Sequence, residues 1–252
     1  MMSVVLLAMA VGATQGASGV PEGTISLTAQ SGPGGEMRCS AMDGAVGGRW
    51  CVSMAQAALS PLVLTHDGKQ VGRWTPPEGD ETFEVVPAVL PLEGGSALVI
   101  ARSTRQVMYS GGGGRIITQH VILVEQGGQG TATRVLSLPA VSGLMIRACF
   151  AETDIVKRAG ACHDTYSMFG FLSFGRPSGE MPVIRFKAEA SSYPRGVSRD
   201  KDSLARPPLR KADLVWDPDR ACTYTRAFHF DPVEMRYLPD APLPDCSQYL
   251  DD

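Results

Sequence analysis

Apolar and polar residues alternate along most of this chain with a period of two, and helical periodicity is almost absent. Ile184, Phe186 and Ala188 oppose Arg185, Lys187 and Glu189, the pattern of a strand with one buried and one wet face. Cys222, Tyr224, Arg226, Phe228 and Phe230 oppose Thr223, Thr225, Ala227 and His229 in the same way, with 235–238 as a hairpin return. Tyr166, Met168, Gly170, Leu172 and Phe174 oppose Ser167, Phe169, Phe171 and Ser173. Bulk on both sides there predicts a central strand covered on both faces. Further strand-like runs fall at 24–28, 61–65, 70–74, 83–86, 97–101, 106–109, 115–125 and 133–138. Only 151–158 suggests a helix, of two turns, with Asp154 and Arg158 at i,i+4 spacing.

Turn signals separate these runs. Asp67-Gly68 between two apolar runs predicts a hairpin, because both residues tolerate positive φ. The glycines at 111–114 and the segment 127–130 predict two more turns. Four glycines also suit a phosphate cradle, but that needs a following helix that opens with Lys-Ser/Thr. Arg115-Ile116-Ile117-Thr118 follows instead and is strand-like. With 28 glycines and 18 prolines in 252 residues, many short strands are expected in place of long helices. The expected fold is therefore a single all-β domain over 18–252, a propeller-like array of short antiparallel strands, with a β-sandwich as the alternative. Segment 195–211 reads as a basic surface loop, with six basic residues against Asp200 and Asp202. Segment 239–252 reads as a Pro-rich tail that frays unless tied down.

The start of the chain changes the picture. Residues 4–11 are apolar, and Gly12, Ala13, Gly16 and Ala17 follow. Residues 1–17 thus read as a secretory signal peptide cleaved after Ala13 or Ala17, although no Lys or Arg precedes the apolar run. No other run approaches the ~20 residues of a membrane helix, so no transmembrane segment is expected in the mature chain. The expected location is periplasmic or secreted. Six cysteines fit that location: Cys39, Cys51, Cys149, Cys162, Cys222 and Cys246. Closely spaced Cys-x-x-Cys pairs, which a zinc site would need, are lacking. Of the 15 connectivities open to six cysteines, the local one is expected: Cys39 with Cys51, Cys149 with Cys162, Cys222 with Cys246. Cys246, on its tail, can also reach other partners.

Candidate chemistry is sparse. His163-Asp164 follows Cys162 directly, and an imidazole oriented by a carboxylate makes a general base. Neighbours on a strand point to opposite faces, however, and the chain has no Gly-x-Ser-x-Gly elbow. The pair reads better as a cap on the disulfide loop. His229 and Asp231 share a strand face and suit a metal, and Asp217 and Asp219 suit a hard cation. Neither pair has a third ligand at a committing spacing, and Pro218 makes the second a turn. His66 and His120 stand alone in the sequence and read as surface turn and strand positions. Net charge is −3, too mild to imply nucleic acid. The basic loop lacks interleaved aromatics after Tyr193, and the three scattered tryptophans make no sugar-stacking surface.

Several motifs in the last hundred residues are similar to a group of uncharacterised exported β-rich bacterial proteins. They are Arg147-Ala148-Cys149-Phe150, Ala161-Cys162-His163-Asp164, Asp202-Ser203-Leu204, Cys222-Thr223-Tyr224, Phe230-Asp231-Pro232 and Pro242-Leu243-Pro244-Asp245-Cys246-Ser247. The resemblance implies export and a β-rich fold and adds no catalytic residue. The functional expectation is a non-enzymatic envelope binding or structural module with an envelope or extracellular partner and no cofactor. The alternative is a hydrolase or metal-dependent enzyme using His163/Asp164 or His229/Asp231.

Overall fold

The computed structural model describes residues 21, 23–32, 35–41, 48–54, 60–125, 130, 132–175 and 181–250. The signal-peptide segment and most of the 127–130 turn lie outside these residues. Among the described residues, fifteen strands run in chain order: β1 Ile25–Ser26, β2 Thr28–Gly32, β3 Gly35–Cys39, β4 Trp50–Ser53, β5 Leu62–His66, β6 Lys69–Trp74, β7 Thr82–Pro91, β8 Ala97–Tyr109, β9 Gly112–Val124, β10 Ala132–Arg147, β11 His163–Phe174, β12 Ile184–Tyr193, β13 Asp217–Pro218, β14 Tyr224–Asp231 and β15 Arg236–Pro239. Two short helices, α1 Glu152–Lys157 and α2 Ser247–Leu250, complete the elements used below.

The strands form two antiparallel sheets. Five strands make one, in the order β2-β3-β4-β5-β6. The other has ten, in the order β1-β7-β8-β9-β10-β11-β12-β14-β15, with β13 also paired to β12. A propeller would divide its strands into separate four-stranded blades. Here a single ladder runs from β7 to β12, so the propeller expectation is corrected. The strands are also longer than expected, up to 16 residues in β10.

Burial explains why the middle strands look uniformly apolar. In β8, Ala97, Val99 and Ala101 face a core that includes Trp50, Leu62, Leu64 and Trp74 of the five-stranded sheet. Leu98 and Ile100 face the second core on the opposite side. β9 splits likewise, with Ile122 and Val124 on one side and Val121 and Leu123 on the other. The second core runs from β7 to β15 and takes in Tyr166, Phe186, Phe228, the Cys222–Cys246 pair and Tyr249 of α2. Because β10 contacts β15 across three intervening strand positions, the large sheet bends over this core. The buried face of β11 is as expected, but its other face is only partly covered, and Phe171 is exposed.

Turn chemistry matches in one place and differs in another. Asp67 and Gly68 both adopt positive φ, 49° and 77°, in the β5–β6 hairpin. The glycine run after Ser110, by contrast, is mostly strand, since Tyr109 pairs with Gly112 and only two residues turn. A Cβ on Gly112 would lie 2.0 Å from the Met145 carbonyl oxygen, and one on Gly114 2.3 Å from that of Gly143. Those glycines permit close strand approach.

Three disulfides join Cys39–Cys51, Cys149–Cys162 and Cys222–Cys246, with Cα separations of 4.0, 4.8 and 5.7 Å. The last holds the C-terminal segment to the start of β14. No helix among the described residues is long and apolar enough to cross a membrane.

Candidate functional site

His163 and Asp164 do not form a dyad. His163 is exposed while Asp164 is buried, because successive residues of β11 face opposite sides. Both Asp164 oxygens are occupied: Oδ1 accepts from the Arg158 guanidinium and Oδ2 from the Ser203 hydroxyl. Arg158, itself 2% exposed, also donates from Nε to the Ala161 carbonyl at 2.9 Å. Asp164 is therefore the centre of a buried ionic cluster, neither a loop cap nor the partner of His163. Asp231 accepts from the backbone N–H of Val233 and Glu234 at 2.8 and 3.0 Å, which ties down the turn after β14. His229 is exposed. Among the described residues no three His, Cys, Asp or Glu side chains cluster as metal ligands. Asp217 accepts from Gly196 N–H. Asp219 accepts from the N–H groups of Ala221 and Cys222, from Gln248 Nε2 at 2.8 Å and from the Tyr249 hydroxyl at 3.0 Å. These carboxylates hold chain segments together.

Sequence reading missed His120. It lies on β9, not at the surface, and is 4% exposed. Its neighbours come from the flanking strands: Nε2 is 2.9 Å from the Ser103 hydroxyl of β8, and Nδ1 is 2.8 Å from the Ser137 hydroxyl of β10. The register shift between Arg134 and Leu136 brings Ser137 opposite the histidine. The rings of Phe83 and Trp74 stand 5.8 and 6.5 Å away. Burial, with a smaller contribution from Arg134, lowers the imidazole pKa from 6.5 to about 4. His120 is thus neutral at physiological pH, one ring nitrogen donating and the other accepting. His66 is half-buried and stacked on Trp50 at 4.1 Å.

Above His120 opens a cavity of about 450 Å³. Phe83, Thr118, His120, Arg134 and Ser137 line it, and loop 77–81, with Glu78, Asp80 and Glu81, forms its rim. Chemically it offers hydroxyls, a neutral imidazole, an aromatic face, one guanidinium and three carboxylates. Ser137 beside His120 has the spacing of a nucleophile and its base. A base with a pKa near 4, however, is a weak proton acceptor at neutral pH.

Comparison with known family models, with curated proteins and with solved structures returns no match to this chain. What the residues support is a β-rich protein of two antiparallel sheets and three disulfides.

Proposed function

We propose that this chain is an exported, non-enzymatic binding module built on a β-sandwich, acting in the periplasm or outside the cell. It would take a small polar ligand into the cavity above His120. The observation that carries this reading is that cavity. Its volume lies in the range of small-molecule sites, and its lining brings Thr118, His120, Arg134 and Ser137 together beside Phe83. The carboxylate rim favours ligands rich in donors, such as amino or hydroxyl compounds. Three disulfides suit an oxidising compartment. The test is an NMR titration with glucose, glucosamine and free amino acids. Saturable shifts at Thr118, His120 and Ser137, lost in Ser137→Trp, support the reading. No shift there with any of these compounds refutes it. Export is tested separately by sequencing the mature N-terminus, expected between Thr14 and Val20; uncleaved chain in the cytosol would refute it.

A second reading, acyl transfer through Ser137, rests on the 2.8 Å contact with His120. A fluorophosphonate probe decides it. Unmodified mass after prolonged incubation at neutral pH is expected, and a stoichiometric adduct on Ser137 would reverse the ranking.

A further inference from the structure

A second cleft opens at the far end of β10, away from His120. Its volume is about 160 Å³, close to that of an engineered cavity of about 150 Å³ that takes benzene. One wall is the end of β10 with Arg147, followed by Phe150; the floor is Asp164 and Tyr166 of β11. The opposite wall is segment 198–204, which carries Arg199, Lys201 and Ser203.

Cations outnumber carboxylates along this cleft. Of its two acidic members, Asp164 is buried and paired with Arg158 and Ser203, and Asp202, at the surface, caps the next turn by accepting from the Leu204 N–H at 2.8 Å. Arg147, Arg199 and Lys201 add three positive charges to the lining. Arg147 is held in place, its Nε donating to the Cys149 carbonyl at 2.6 Å and its guanidinium carbon 5.1 Å from the Phe150 ring centroid. Phe150 is 66% exposed, so a large apolar ring stands beside a fixed cation, Arg147.

The walls are braced. The Cys149–Cys162 disulfide closes the loop behind Phe150. Lys157 donates to the Leu204 carbonyl, and the Leu209 N–H donates to the Lys157 carbonyl at 2.8 Å. A ligand entering such a cleft orders little that is not already ordered, which removes a main cost of binding.

We propose that this cleft binds a compact oxyanion, a carboxylate or phosphate monoester, carried on a ring-sized apolar group. The anion lies among Arg147, Arg199 and Lys201, and the apolar group lies on Phe150. Arginine with lysine suits planar and tetrahedral oxyanions alike, and the cleft volume limits the occupant to about one ring.

The test is NMR titration of the whole chain with benzoate, phenyl phosphate, benzyl alcohol and inorganic phosphate. Benzoate or phenyl phosphate should shift Arg147, Phe150 and Lys201 saturably. Benzyl alcohol and inorganic phosphate should each bind at least tenfold more weakly. Lys201→Glu and Phe150→Ser, both at exposed positions, should each weaken binding of the aromatic anion tenfold or more with the melting temperature unchanged. Equal binding of benzyl alcohol would overturn the role of charge, and equal binding of inorganic phosphate the role of the ring. No saturable shift with either aromatic anion overturns the proposal entirely. The His120 cavity is read by different resonances in the same spectra, so failure at one site is distinguishable from failure at the other.

Discussion

Two polar clusters are buried in the same ten-stranded sheet, and they solve desolvation differently. Around His120 the groups are neutral: an imidazole between two hydroxyls, with aromatic rings nearby. Around Asp164 they are ionic: a carboxylate, a guanidinium and one hydroxyl. A neutral group can stay buried by giving up its charge, and the depressed pKa of His120 records that outcome. An arginine has no such option, since its guanidinium stays protonated, so Arg158 needs a permanent counter-ion. The first cluster borders a cavity. The second fastens segment 203–205 and the disulfide loop to β11 and tolerates little change.

The largest expected effect breaks the ionic cluster. Asp164→Ala leaves Arg158 buried and unpaired, and should cost about 3–5 kcal/mol in chemical denaturation. Replacing both partners, Arg158→Met with Asp164→Leu, should recover most of that loss; a double variant as unstable as the single one would contradict the account. Next is the brace beside it. Removing the Cys149–Cys162 bridge by double alanine substitution should cost about 3 kcal/mol in the chain-entropy model, and a melting temperature unchanged from the parent would show the loop to be held by other contacts.

The neutral cluster is expected to show itself through pH. His120 has a pKa of about 4 when folded, against the ordinary 6.5, so between those values the unfolded chain binds a proton that the folded chain refuses. Its contribution is present in full above pH 6.5 and lost as pH falls toward 4, up to roughly 3 kcal/mol. His120→Gln should flatten that part of the stability profile, and an unaltered slope would place the protonation elsewhere. Smaller still, Ser103→Ala orphans the buried face of the imidazole and should cost about 1–3 kcal/mol. Ser137→Ala, open to water, should cost less. At the bottom of the scale, His163→Ala lies on an exposed face and should stay within about 0.5 kcal/mol.

Much of the β architecture was legible, because alternation reports directly which side of a strand is wet. The Ile184–Tyr193 strand and the Asp67-Gly68 hairpin are examples. Local disulfide pairing was legible too, since each pair brackets a short loop. Strand length was not. Runs 97–101 and 106–109 look separate because Arg102, Ser103, Thr104 and Arg105 interrupt them, yet β8 is continuous. The burial of Asp164 could have been found. It is in phase with Tyr166 and Met168, so extending the period of two by one step places it inside. His120 carried a weaker signal, standing directly before the apolar run Val121–Val124. What no pattern within one strand contains is the Ser103–His120–Ser137 grouping, which depends on pairing three strands and on a bulge.

The short helix α2 carries a temporal implication. Tyr249 is 1% exposed, belongs to the second core, and reaches Asp219 through its hydroxyl. Its carbonyl accepts from the buried Ser142 hydroxyl of β10. During vectorial synthesis, then, the bent sheet must wait for nearly the last described residues before its inner face can be sealed. A nascent chain stopped before Cys246 would present that apolar face to chaperones, and to any translocation machinery that engages unfolded polypeptide.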